Sequence, residues 1–444
     1  MVSLRSVRFV LVLMITIGTL GPIGGNLILP MVSVLKNEFY TDISMIMLSV
    51  TLFMIPSALV QFFSGSLSDV YGRRPPIVVG LVIYGLGFIL ASTTSNIWWF
   101  IAARVLQGAG NALATPVLIA VIGDLTDTMN RGRWMGFYSS ALRAGIALAS
   151  LIGGVMAYQW RALFVAMGVI SLAIAACSWV CLGGLKGGVR VESELVRNLK
   201  KTVMNKGVLA VSVAGFITFF SYVALISITS DALTSFPYFL DPSSVGLILS
   251  VSGVTGIISA FLAGFLADRF GRRSISSVGA LIASFSLVVL AAITIYPSPF
   301  FPFYYIPNVL GQDVKGIDIQ TLVSMFVLQS LMRTATSEAF AQFLVLMSVM
   351  GIGISLTWPA LLALSVEIVP PQQRGAASSI FNGTRFLGYA IAPTVFAPVY
   401  LQAGLDAAFF LSAIMLGLVV GMVYLATSSR VRIFEENEEL KEAG

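Results

Sequence analysis

The chain contains no histidine, and only two of its 444 residues are cysteine. Without imidazole there is no histidine-based metal site, no histidine proton relay and no nucleophile–histidine pair for covalent catalysis. Cys177 and Cys181 stand four apart in one apolar segment, on one face of a helix. A helical pair at that spacing reaches disulfide geometry poorly, so inert, buried thiols are expected. Charge is scarce as well: Asp, Glu, Lys and Arg make up 10% of the chain against 57% hydrophobic residues. Mean hydropathy is +0.93. A soluble domain carries about a quarter charged residues, so a polytopic membrane protein is indicated instead. No glycine-rich phosphate loop ending in Lys-Ser/Thr occurs, which argues against an ATP-driven pump. Neither an enzyme, a metal site nor a bound cofactor is expected. The net charge of +6 comes from basic residues spread over short loops, an orientation signal and not a nucleic-acid patch.

What the chain does have is long apolar runs. A membrane span needs about 20 apolar residues. Candidates lie at 8–32, 44–68, 75–95, 98–123, 134–158, 161–184, 207–232, 244–267, 274–296, 338–366, 375–401 and 406–428. The first is too long for a signal-peptide core and reads as a span. Nineteen of the 26 lysines and arginines fall in the loops on the amino-terminal side; Lys36, Arg161, Lys315 and Arg333 fall on the other. Arg104, Arg143 and Arg385 lie within spans. That asymmetry expects both termini in the cytoplasm of a multi-pass plasma-membrane protein.

The run Gly65-Ser-Leu-Ser-Asp-Val-Tyr-Gly-Arg-Arg74 returns 199 residues later as Gly264-Phe-Leu-Ala-Asp-Arg-Phe-Gly-Arg-Arg273. Each copy joins two apolar segments through a short charged turn. A second echo pairs Arg131-Gly-Arg with Arg374-Gly-Ala, with Gly145 and Gly388 each fourteen residues further on. Duplication predicts an all-α membrane protein of twelve transmembrane helices in two pseudo-symmetric six-helix bundles. The expected divisions are a first bundle at 1–184, a cytoplasmic linker at 185–206, a second bundle at 207–428 and a solvated tail at 429–444. An extra segment at 297–337 enters the second half; it opens on a proline-rich stretch that cannot be regular helix and becomes helical again from Ile319 to Met332. A lid and a plain loop are both open for it. Two like halves joined in a membrane suggest a transporter.

These residues resemble the major facilitator superfamily, and within it the twelve-span drug:proton antiporters, over roughly the whole chain. The most specific element is the loop after span two, where Gly65, Leu67, Asp69, Gly72, Arg73 and Arg74 match the family pattern. Gly264, Asp268, Gly271, Arg272 and Arg273 form the closer second copy. The resemblance implies a latch between halves that holds the outward-open state. In span four, Arg104-Val-Leu-Gln-Gly-Ala-Gly-Asn111 matches a signature the antiporters share, which the family links to proton coupling. Arg104, Gln107, Gly108 and Asn111 share one helix face. A charge within a span must face a cavity or a partner, which singles out Arg104. Span five differs, with Ala149-Ser150 ahead of Gly153-Gly154 where antiporters carry Gly-Pro. Span one bends through Gly18, Pro22 and Pro30 and offers Asn26 where many drug antiporters place a carboxylate.

Coupling without histidine requires a carboxylate that changes charge, and burial raises a carboxylate's pKa in the needed direction. Candidates are Asp231 late in span seven and Glu338 at the start of span ten, with Gln342 one turn below. Asp124 and Glu367 lie at cytoplasmic ends. For Asp231 and Glu338 a solvated span end is equally open. Arg143 and Arg385 sit in equivalent spans of the two halves, twelve and eleven residues into the matching repeats. Facing a cavity they would favour an anionic substrate; the alternative is pairing with Asp69, Asp268, Asp124 or helix carboxyl ends. Phe219, Tyr222, Trp358, Asn382 and Tyr389 are further cavity candidates.

The expected activity is secondary active transport of a small organic solute by alternating access, foremost proton-coupled export of drugs or amphipathic compounds. An organic-anion, sugar or other metabolite symporter or facilitator is the alternative. The expected partners are that solute, protons and the lipid bilayer, and a monomer suffices.

Overall fold

The structure is a computed structural model that describes residues 4–126, 128–183, 202–235, 238–295, 319–370 and 373–442. Helix α1 spans Leu4–Asn26, and a short helical turn at Leu29–Met31 leads into α2, Val32–Glu38. The first half continues with α3 (Ile43–Tyr71), α4 (Arg74–Thr93), α5 (Ile97–Leu125), α6 (Thr128–Val155) and α7 (Trp160–Cys181). The second holds α8 (Lys206–Thr234), α9 (Pro242–Phe270), α10 (Arg272–Ile295), α11 (Ile319–Glu367) and α12 (Arg374–Glu442). Among the described residues there is no strand.

Among the described residues, eleven stretches are long and apolar enough to cross a membrane. The last, Ala376–Ala426, is broken at Gly404, whose φ of 90° reverses the chain, and so provides two crossings. Twelve crossings result, six in each half. The ends of α1, α3, α4 and the start of α8 therefore alternate between two faces. We call the face bearing Leu4 and the start of α8 proximal, and the opposite face distal.

Local chemistry sets the helix ends. Asp42, Asn96, Asn205 and Asp241 accept backbone N–H bonds at the starts of α3, α5, α8 and α9. Gly72 and Gly271 stop α3 and α9 at φ 89° and 85°, a conformation that a side chain strains. They hold the same place in the two copies of the repeated turn.

Two helix pairs carry the seam between halves, α6 against α9 and α3 against α12. The first is close enough to require glycine. A Cβ at Gly154 would lie 2.5 Å from the Pro242 carbonyl oxygen and 2.8 Å from Gly246 Cα. At Gly246 it would lie 2.5 Å from the Ser150 oxygen. Backbones meet directly here, near the distal face, as small residues allow in membranes.

Two expectations change, and the tail takes a helical form for which no secondary structure was expected. Ile319 to Met332 is not a separate short helix: α11 runs unbroken for 49 residues, because no glycine occurs in it before Gly351 and no proline before Pro359. The segment after Arg430 continues α12 and is helical. Cys177 and Cys181 are free and partly exposed, not buried. The linker expected at 185–206 and the insertion expected at 297–337 lie largely outside the described residues.

Candidate functional site

Arg104 is fully buried on α5. One terminal nitrogen donates to the Gly24 carbonyl at 2.9 Å and to Gln107 Oε1 at 2.5 Å, and the guanidinium lies over the Phe53 ring at 4.2 Å. Its Nε and second terminal nitrogen find no protein acceptor, nor does Gln107 Nε2. Gly108 explains how α5 comes so close to α3: a Cβ there would sit 2.0 Å from the Phe53 oxygen. Asn111, one turn on, accepts from Thr115 and packs where Gly21 of α1 leaves room. It shares the face with Arg104 without bonding to it. Tyr84 donates to the Leu20 carbonyl, fixing α4 to α1.

Asn26 anchors itself by donating to Pro22 O at 2.8 Å and accepts from the Tyr389 hydroxyl at 2.5 Å. That bond crosses the seam. So does the bond between Thr51 and Thr394 hydroxyls, 2.6 Å.

At middle depth Arg143, from α6 of the first half, donates to Ser355 Oγ at 2.8 Å and to the Gly256 carbonyl at 3.1 Å, both in the second half. Its guanidinium lies 4.9 Å from the Trp358 ring centre. Arg385 reaches the same ring at 4.8 Å and the Phe219 and Phe386 rings at 4.7 and 4.5 Å. Phe219 meets Trp358 edge-on at 5.8 Å, and Tyr222 stands 6.4 Å from Phe219. Arg385 Nε and Trp358 Nε1 are buried without a protein acceptor. Sharing one ring places the two cations within about 10 Å of each other, a repulsion of about 2 kcal/mol at an effective dielectric of about 20. No carboxylate pairs with Arg104, Arg143 or Arg385 among the described residues. Asn382 turns back on its own helix, donating to Ser378 O.

Toward the distal face Asp231 is 3% exposed, not a solvated span end. Lys36 of α2 binds it at 2.6 Å across the seam, and the Tyr400 phenol faces the same carboxylate. The carboxylate is buried and the ammonium partly exposed, so solvent and salt screen this pair less than a surface one. Above it opens a depression of about 730 Å³ lined by Val34, Asn37, Tyr158, Thr234, Phe239 and Asp241. Glu338 and Gln342 are partly exposed and do not join this group.

On the proximal face Arg73 binds Asp124 at 3.0 Å and Ser68 Oγ at 2.7 Å. Arg272 binds Glu367. Thus Asp124 serves Arg73 and not Arg143 or Arg385. Arg74 and Arg273 lie over Trp179 and Tyr424 at 3.6 and 3.7 Å. Each half ties its own turn to its own helix end, in matching fashion. The side chains of Asp69 and Asp268, and the positions of Gly65 and Gly264, lie outside what the structure describes in side-chain detail.

Sequence reasoning missed Lys36 as a partner, counting it only as a loop charge, because 195 residues separate it from Asp231. Ser355 and Tyr400 carried no signal. The Arg73–Asp124 and Arg272–Glu367 pairs were within reach: their members repeat at the same 199- and 243-residue offsets as the two sequence echoes.

The comparisons with known proteins agree with the architecture. The Major Facilitator Superfamily pattern matches residues 14–311 and 319–443. The Bacillibactin exporter of Bacillus subtilis is 23% identical over 393 residues, 86% of this chain and 87% of that protein. Multidrug resistance protein 2 of Bacillus subtilis is 24% identical over 62% of this chain and 71% of its own length. A crystal structure of a bacterial homolog of the human lysosomal transporter Spinster, inward-facing and unoccupied, superposes with a TM-score of 0.72 at 16% identity, covering 97% of this chain and 98% of that one. Motifs, twelve crossings and matched span together place this chain in the major facilitator superfamily.

Proposed function

We propose that this transporter-family protein is a secondary active carrier that exports an amphipathic organic compound in exchange for protons. The observation that carries the reading is the Lys36–Asp231 pair, which pins the two halves together toward the distal face. The bonds from Asn26 to Tyr389, Thr51 to Thr394 and Arg143 to Ser355 and Gly256 lie at middle depth or further distal. This is the arrangement of a carrier closed on its distal side. The basic residues of the proximal loops support a cytoplasmic proximal face, and with it a plasma-membrane carrier whose termini are both inside.

Opening the distal side must break the Lys36–Asp231 pair and hand Asp231 to the outer solution. Asp231 is the carboxylate this reading assigns to coupling, because the group that closes the distal side is the one handed to the outer solution, and the two events are linked reciprocally. Arg104 and Gln107 hold α1 to α5 beside the Asn26–Tyr389 bond, between coupling carboxylate and central site. Asn111 steadies the same helix contact. Phe219, Tyr222 and Trp358 offer the solute an aromatic wall, with Asn382 one helical turn from Arg385 as a polar neighbour. The proximal pairs Arg73–Asp124 and Arg272–Glu367 keep each bundle rigid as it rocks.

Proteoliposomes test the reading. Asp231→Asn is expected to lose export driven by a pH gradient while keeping solute exchange at equal pH. Gradient-driven export at the parent rate in that variant would remove Asp231 from the coupling.

A further inference from the structure

We propose that the central site binds a planar aromatic anion, its acidic group held between Arg143 and Arg385 and its ring laid against Trp358 and Phe219. This deepens the transport reading and rests on it for location, though not for its test. Each half contributes one guanidinium to the same indole, at 4.9 and 4.8 Å, and no carboxylate pairs with either among the described residues. Arg143 is served only by neutral acceptors, Ser355 Oγ and Gly256 O. A lipophilic cation would meet repulsion at this point.

The unused hydrogen bonds point the same way. Arg385 Nε and Trp358 Nε1 are both buried, both donors and both without an acceptor. Buried donors are ordinarily satisfied. The acceptor oxygens of a carboxylate or sulfonate satisfy these donors, and the guanidinium fork suits two oxygens. Phe219, Phe386 and Trp358 surround Arg385 within 4.8 Å, so the ligand's remaining surface faces rings. An aromatic body packs edge-on or offset on such a wall. Because the two arginines come from opposite halves, one bound anion relieves their repulsion and draws the halves together.

The test is a titration of the purified full-length protein, followed by thermal shift and tryptophan fluorescence. The probes are 2-naphthoate, its neutral amide, a naphthyl trimethylammonium ion and inorganic sulfate. We expect 2-naphthoate to raise the melting temperature and to bind about ten-fold or more tightly than each of the others, the loss expected on removing a charge-assisted hydrogen bond. Arg385→Gln and Arg143→Gln should each weaken naphthoate about ten-fold, while Trp358→Phe, which keeps a ring but loses the indole N–H, should weaken it by a smaller factor of about three to five. Equal binding of the amide or the ammonium ion by the parent protein would overturn the anion assignment without reference to any variant. Sulfate binding as tightly as naphthoate would overturn the aromatic part. Export of another solute alongside no naphthoate binding would sink this inference and leave transport standing; naphthoate binding with no transport of any solute would do the reverse.

Discussion

At the scale of single residues, the interior is organised by charges that polypeptide folding does not bury without reason. Arg104 is surrounded by a carbonyl, an amide oxygen and a phenyl face, and has no counter-charge among the described residues. Such a group holds its ionised form through hydrogen bonds and ring contact alone. Its bond to Gly24 is a link between α5 and α1, so Arg104→Ala should remove gradient-driven export while membrane expression persists. Proteoliposome transport and a membrane-fraction blot check this; export at parent rates would separate Arg104 from the mechanism. Arg104 was legible in the sequence because a charge in the middle of an apolar run needs a purpose. Lys36 was not legible, since its surroundings look like any loop and its partner sits on another half. Residue-level chemistry reads well when the oddity is local, and poorly when two ordinary positions become a site only by folding.

At the scale of helices, the fold is governed by how closely backbones approach. The turns ending in Gly72 and Gly271 were readable from their repeated pattern, because only a glycine sits comfortably at φ near 90°. The Gly154–Gly246 contact was half readable: Gly153-Gly154 announced tight packing, but not against α9. Gly154→Val should prevent distal closure, since even its Cβ would lie 2.5 Å from a backbone oxygen. Transport should fall by about an order of magnitude or more, and, with Cys177 and Cys181 replaced by alanine, thiol labelling of a cysteine placed at the buried Ser150 of the same seam should rise. The long α11 was misjudged because an apolar pattern shows where a helix enters a membrane, whereas only a breaker shows where it stops. Asp241 caps α9, and although burial opposes it, hydrogen bonds from Ser243 and Ser244 hold its carboxyl below the ordinary range. A depressed folded value means the cap's stabilisation is present above the unfolded pKa and is lost as pH falls through the folded one. The melting temperature should therefore drop more steeply on acidification in the parent than in Asp241→Asn, and parallel curves would contradict the assignment.

At the scale of the whole molecule, twelve crossings and two like halves were legible because duplication leaves its mark at fixed offsets in the chain. Which face is closed was not, because both faces use the same helices and differ only in contacts across the seam. The two bundles meet distally through Lys36–Asp231, and in the proposed carrier cycle they part there. The most direct measurement is the distance between spin labels at Tyr158 and Phe239, both exposed on opposite sides of the distal depression, with Cys177 and Cys181 replaced by alanine. Double electron–electron resonance should give a short distance at neutral pH and a second, longer population that grows in Asp231→Asn. One unchanging short distance in both proteins would contradict a carrier whose halves swing apart at that pair.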